Sequence, residues 1–255
     1  MATILPAGLL YKELAFSSDE HDSGSRNEPT FYLDKNIRSI QQVRIDGVEF
    51  PNSYYVFNSS TNGIKFTESG QSEATATITP GNYTSTTILT EIKAALEAAS
   101  PGTKTYTVTL DTSTLKITIA VSSGTVIING ATSTAGEFIG FTVANTTAAS
   151  VEGNQVLNLS GPNYLILRSN LASLYNRSFY VDGKSANNAV CRVPVHSNSS
   201  EVVFYDASNR PYHQCISGDL SEVSFYLTDE ANRRIDLNGG IITVYISLIC
   251  SKEEQ

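Results

Sequence analysis

Four side chains are of the types a metal site would need: Cys191, His196, His213 and Cys215. Zinc takes thiolate and imidazole ligands that separate elements bring to one point. His213 and Cys215 lie two apart and share one face of an extended strand, whereas Cys191 and His196 lie five apart and point to opposite faces. The pattern favours buried free thiols over a zinc centre. With Cys250 the cysteines number three and show no short repeated spacing, which fits reduced thiols better than a disulfide framework.

Acid–base and nucleophilic chemistry find no firmer footing. His21, His196 and His213 could each be set beside a serine as its base, but serine is so abundant that the pairing carries no information. The carboxylate pairs Asp19–Glu20 and Asp229–Glu230 fall in apparent loops, where a solvated turn accounts for them. The sequence contains no phosphate loop, dinucleotide fingerprint, nucleophile elbow or helical zinc-protease motif. The expectation is a protein that is not an enzyme, with no catalytic residue, no metal and no cofactor. Tyrosines such as Tyr54–Tyr55 would suit sugar stacking in a lectin-like sandwich, although such pairs are ordinary in strands and the chain has no Trp.

The 255 residues carry a formal net charge of −8, and the longest run of basic residues is the pair Arg233–Arg234. Neutralising phosphates takes clustered cations, so direct nucleic-acid binding is not expected. No apolar run approaches the roughly 20 residues of a membrane-spanning helix. The N-terminal stretch "MATILPAGLLYKELAF" lacks a cationic leader and is interrupted by Pro6 and Gly8, which argues against a cleaved secretion signal.

The elements that would position any site read as strand after strand. Residues 1–30 look like an N-terminal arm: Ile4, Leu5, Leu9, Leu10, Tyr11, Leu14 and Phe16 are anchors, followed by the polar spacer "SSDEHDSGSRNEP". From Phe31 the alternation of "SIQQVRIDGVEF" begins, with Asp46–Gly47 as a turn or bulge, and "SYYVFN" follows. One amphipathic helix stands out, starting near Ser85–Thr87, with Ile88, Leu89, Ile92, Leu96 and Ala99 on one stripe. A hairpin comes next, in which Tyr106, Val108 and Leu110 share a face and Leu115, Ile117, Ile119 and Val121 share one on the partner strand. "TVIING", "EFIGF", "QVLNLSG", "NYLILRS", "AVCRVPVH", "EVVFYDA", "SEVSFYLTD" and "GGIITVYISLIC" complete the series of expected strands. The expected fold is an all-β sandwich or barrel.

The order of these segments adds to that reading. "GVEFPNSYYVFN", "ITPGNYTSTTILTEIKAAL", "YTVTLDTSTLKITI", "FIGF" and "RRIDLNGGIITVYISLI", in this succession, resemble the penton and minor capsid proteins of viruses with double jelly-roll major capsid proteins, a lineage of virophages, polinton-like viruses and giant DNA viruses. The resemblance covers most of Asn36 to Cys250. It implies a single jelly-roll β-sandwich with one short helix and an inserted β-hairpin element. Residues 31–250 would be the jelly-roll domain, with a helix–hairpin insertion at about 68–142 that a simple jelly roll lacks, and 251–255 a C-terminal tail. In function it implies a structural penton protein of the virion capsid, assembled inside the host cell as a homopentamer at the icosahedral vertices. Its partners would be copies of itself, the neighbouring major capsid protein and other minor capsid proteins. The helix would brace an edge or end of the sandwich. Ile4, Leu5, Leu9, Leu10, Tyr11, Leu14 and Phe16 would serve as assembly-interface residues, so a chain lacking Met1–Pro29 should fold but assemble poorly. The alternatives are another minor capsid role, cement or vertex spike, and a carbohydrate-binding β-sandwich module.

Overall fold

Apolar residues at every second position commit most of the chain to strands. The computed structural model describes residues 8–175, 180–181, 184–185 and 188–252. In chain order the elements are β1 (Leu9–Ser17), β2 (Ser23–Ser25), β3 (Glu28–Pro51), β4 (Gly63–Glu68), β5 (Ala74–Thr77), α1 (Thr87–Ala99), β6 (Tyr106–Leu110), β7 (Ile117–Val121) and β8 (Val126–Ile128). They continue with α2 (Gly136–Ile139), β9 (Ser150–Glu152), β10 (Tyr164–Ser169), β11 (Tyr180–Val181), β12 (Lys184–Ser185), β13 (Ala189–Pro194), β14 (Val202–Asp206), β15 (His213–Thr228) and β16 (Thr243–Ser251). Two compact units result: unit 1 joins Met1–Tyr54 to Pro162–Gln255, and unit 2 is Tyr55–Gly161.

Unit 1 is an all-β jelly-roll sandwich. Its sheet runs β1-β16-β3-β15-β10-β13, with β14 and β2 also paired to β3. The 24-residue β3 serves both layers, because its C-terminal half pairs with β16 and β14 and its N-terminal half with β15. Two irregularities let so long a strand curl. Pairing of Tyr245 with Gly47 and of Ile246 with Ile45 leaves Asp46 without an opposite residue, which makes it a bulge. Ser39 takes a left-handed φ of 55°, and its N–H donates to Asp219 Oδ1 at 3.2 Å. Alternating apolar residues of these strands then face a main core, in which Phe31 sits 5.0 Å from Phe16 and 5.5 Å from Phe225 between ring centroids, while Tyr164, Ile166 and Ala189 form a small cluster of their own.

The segment expected as an arm is part of this sandwich wherever it is described. β1 pairs with β16 from Leu9 opposite Ser251 to Ser17 opposite Thr243, and β2 folds back on the start of β3. The spacer builds no core of its own; it is pinned by Ser18, whose N–H donates to Ile242 O at 2.9 Å and whose Oγ accepts from Ile242 N–H at 3.0 Å.

Unit 2 holds two three-stranded sheets, β5-β4-β8 and β6-β7-β9, around a separate core. Helix α1 buries Ile88, Ile92, Ala95 and Leu96 in that core, so the core it braces is that of this unit. Its first turn is closed by a reciprocal pair: Thr84 N–H donates to Thr87 Oγ1 at 2.9 Å and Thr87 N–H to Thr84 Oγ1 at 3.2 Å. The region 68–142 expected as an insertion lies inside unit 2, which also takes in Tyr55–Thr67 and Val143–Gly161.

Local departures have local causes. Leu115 leaves the hairpin face because the turn extends to Lys116: Asp111 caps Ser113 and Thr114, and Leu115 sits at φ 55°, 52 % exposed. "EFIGF" forms α2 in place of a strand, ended by Gly140 at φ 81°, where a Cβ would lie 2.4 Å from Gln155 O. "SYYVFN" and "QVLNLSG" run outside named strands.

Candidate assembly surface

Strand β1 stands at the end of its sheet, paired on one side only among the described residues. The pleat sends Leu10, Lys12, Leu14 and Phe16 towards the face of Val244, Ile246, Leu248 and Cys250, and Tyr11, Glu13 and Ala15 towards the opposite face. Phe16 is 8 % exposed and Leu14 packs against the core, so both are committed to the unit's own interior and leave the set of surface anchors. Leu10 and Tyr11 remain 41 % and 43 % exposed, and Leu9 is half-buried. Ile4 and Leu5 lie outside the described residues.

Behind this edge a polar relay crosses three strands. Tyr11 Oη lies 2.7 Å from both Glu13 Oε1 and Ser247 Oγ. Ser247 in turn donates to Asp46 Oδ2, and Arg44 Nε donates to Asp46 Oδ1 at 2.5 Å. The Arg44 guanidinium stacks on Tyr212, 4.3 Å from its ring centroid. The bulge is what brings the Asp46 carboxylate to Ser247. Ser247 pulls the Tyr11 phenol down, but burial, the bond to Glu13 and the neighbouring Tyr212 prevail, and the phenol is pushed up to about 12. Tyr11 therefore stays a protonated donor under ordinary conditions. The relay holds the outer face of β1 rigidly to β16 and β3; the sequence hinted at it only through the polar alternation of "QQVRIDG".

The chemically competent side chains are dispersed or tied down. Cys191 on β13 and His213 on β15 line one cavity of about 140 Å³, but its other polar walls are Arg44 and Arg210, which oppose a cation. Burial pushes the Cys191 thiol up to about 11, with Arg210 pulling the other way. Cys215 is likewise pushed up to about 11 by burial, then by Cys250. His213 stacks on Tyr175 at 4.7 Å, and His196 is exposed beyond the end of β13. Among the described residues no three His, Cys, Asp or Glu side chains gather to hold a metal ion. His21 Nδ1 bonds the Ser18 carbonyl at 2.8 Å. Asp19 accepts from Ser17 Oγ at 2.5 Å, a bond that holds its carboxyl below the usual range. Asp229 closes a turn by accepting from the backbone and side chain of Arg233 at 2.8 and 2.5 Å, while Glu230 is exposed. Tyr54 is 4 % exposed, burial pushing its phenol up to about 12, and only Tyr55 of that pair reaches solvent.

One carboxylate went unnoticed in the sequence. Glu68, 1 % exposed at the end of β4, accepts from Ser100 Oγ (2.6 Å), Gly102 N–H (2.9 Å) and Tyr106 Oη (2.6 Å). Burial raises its pKa, but these donors and Lys104 outweigh it and hold the carboxyl below its ordinary value. It is a structural anion, clamping the end of α1 to β4 and β6. Ser-Pro-Gly after a helix marked the turn, but nothing local linked it to an acid 32 residues upstream of Ser100.

No protein-family profile matches the chain, and no curated protein matches it. Among solved structures it is similar to the mavirus penton protein, at 9 % identity over 94 % of this chain and 98 % of the other, with a TM-score of 0.48. It is also similar to a chain of the Sputnik virophage structure, at 14 % identity over 96 % of this chain and 98 % of the other, with a TM-score of 0.43. Among the described residues no helix is long and apolar enough to cross a membrane.

Proposed function

We propose that this chain is a structural capsid subunit, a penton protein of the double jelly-roll virus lineage, whose copies close a five-fold ring at the icosahedral vertices of the virion. The observation that carries this reading is β1: nine residues whose outer edge is unpaired among the described residues, bearing exposed Leu10 and Tyr11 and stiffened from behind by the Tyr11–Ser247–Asp46–Arg44 relay. An open strand edge with apolar flanks invites pairing with another chain. In a ring that contact is head-to-tail, β1 of one copy meeting a different surface of the next, and each contact must bury at least about 1,000 Å² to persist. The order of sequence segments from "GVEFPNSYYVFN" to "RRIDLNGGIITVYISLI" supports the assignment to this lineage. The net charge of −8 suits partners that are proteins, the major capsid protein and other minor ones, and not the genome.

Native mass spectrometry of the purified protein, with electron microscopy of the same sample, tests this. A five-copy mass with five-fold rings is expected, and Leu10→Lys should release monomers while moving the thermal midpoint little, since Leu10 is 41 % exposed. A wild-type monomer at micromolar concentration defeats the proposal; a trimer redirects it to a cement or spike role.

A further inference from the structure

The outer face of the jelly-roll unit carries a groove of about 560 Å³ that crosses four strands, lined by Glu13 and Ala15 of β1, Tyr245 of β16, Asp46 and Gly47 of β3, and Phe204 of β14. That volume is in the range of small-ligand sites. Two aromatic side chains are open in it, Phe204 at 65 % and Tyr245 at 37 % exposure. Tyr245 is the cross-strand partner of Gly47 and leans over its bare Cα: a Cβ there would meet Tyr245 Cδ2 at 3.4 Å and Tyr205 O at 3.3 Å. Glycine thus lets the ring approach β3 while its other side faces the groove.

The polar groups of the groove are fixed acceptors. Glu13 is held by Tyr11 Oη, and Asp46 by Ser247 and Arg44, so both carboxylates are oriented before any ligand arrives. Among the described residues no Lys, Arg or His lines the groove. Two carboxylates repel an anionic ligand, and the guanidinium already on Asp46 would compete with an incoming basic side chain. What remains is a neutral molecule with an apolar face to lie on aromatic rings and hydroxyl groups to donate to carboxylates, which is the chemistry of a sugar ring. We propose that this groove binds a neutral oligosaccharide, with Tyr245 and Phe204 as stacking platforms and Glu13 and Asp46 as hydroxyl acceptors. The site lies on the sheet face and does not depend on the ring-forming role of the β1 edge.

The test is isothermal titration of the full chain with neutral hexaoses of glucose, mannose and galactose, beside hexalysine and a heparin hexasaccharide. At least one neutral hexaose should bind at millimolar concentration or below, and the two charged probes should not compete with it. Tyr245→Ala and Phe204→Ala should each weaken that binding about tenfold or more, Glu13→Gln should weaken it less, and Tyr32→Ala, at an exposed tyrosine outside the groove, should leave it unchanged. Phe204 is exposed enough that its removal spares the fold, and an unchanged thermal midpoint verifies this. Absence of binding by every neutral hexaose, binding that survives the Phe204 and Tyr245 substitutions, or hexalysine occupying the groove in their place overturns the proposal. Because titration reads binding to the subunit and native mass reads assembly, failure of one leaves the other standing.

Discussion

Tyr55–Gly161 closes into a compact unit from one continuous stretch, whereas the jelly-roll unit must bring Met1–Tyr54 together with Pro162–Gln255. In the first, two of the four ladders join neighbours in sequence, as in the β6–β7 hairpin, where Tyr106 meets Val121 and Leu110 meets Ile117, and the other two, β4–β8 and β7–β9, stay within the same stretch. In the second, the longest ladders join ends of the chain: β1 to β16, and β3 to both β15 and β16. Closing such long loops costs entropy before any contact repays it, so local pairing should form first and the sandwich last. A contiguous unit can be judged from a short window of sequence; a sandwich of distant strands cannot.

Excision is the sharpest way to break this comparison. A chain of residues 55–161 alone should fold with a cooperative thermal transition, whereas a chain lacking Met1–Pro29 should lose the unit 1 transition and keep that of unit 2. This reverses the expectation that the shortened chain stays folded, because Phe16 belongs to the core and β1 covers β16. Calorimetry that finds both transitions intact after the deletion would refute it. Next in size, Phe225→Ala should destabilise unit 1 by about 3–5 kcal/mol through loss of the ring beside Phe31. Hydrogen exchange would then rise across β3 and β15 and stay level in β6 and β7.

Glu68→Gln should act on unit 2 alone, by roughly 1–3 kcal/mol, since an amide cannot accept from all three donors as the carboxylate does. Its folded pKa is lowered, so the stability it confers is complete above the unfolded value and is lost as pH falls through the folded one. Denaturation of the wild type should therefore steepen in acid below about pH 4.5, and the variant should show less of that slope; equal slopes would remove Glu68 from the account. Smallest of all, Thr84→Ala should cost about 1 kcal/mol by opening the first turn of α1, and a midpoint unchanged in urea would show that the cap contributes nothing.

The pattern of the sequence located the helix to within a residue or two and the two strands of the hairpin, because both depend on contacts close in sequence, but it ended the turn at Thr114 where the structure carries it to Lys116. It placed β16 correctly and anticipated an irregularity at Asp46–Gly47. It misassigned "EFIGF", where the left-handed Gly140 and its approach to Gln155 outweigh strand propensity. It read residues 1–30 as an arm because a lone apolar strand before a polar spacer looks the same whether it pairs elsewhere or stays free. The groove of Phe204, Gly47 and Tyr245 was illegible for a similar reason, since its walls come from positions near 15, 47, 204 and 245.

By itself the sequence determined the β class, the single amphipathic helix and the absence of any recognised catalytic motif, all of which follow from side-chain periodicity and residue type. Tertiary structure decided that β1 completes the sandwich, that Glu68 clamps a helix end, that Cys191 and His213 share a wall with two arginines, and that aromatic and acidic side chains line one groove. Each of these rests on which distant strands pair and in what register, and a shift of one residue would turn every side chain on the strand to the other face.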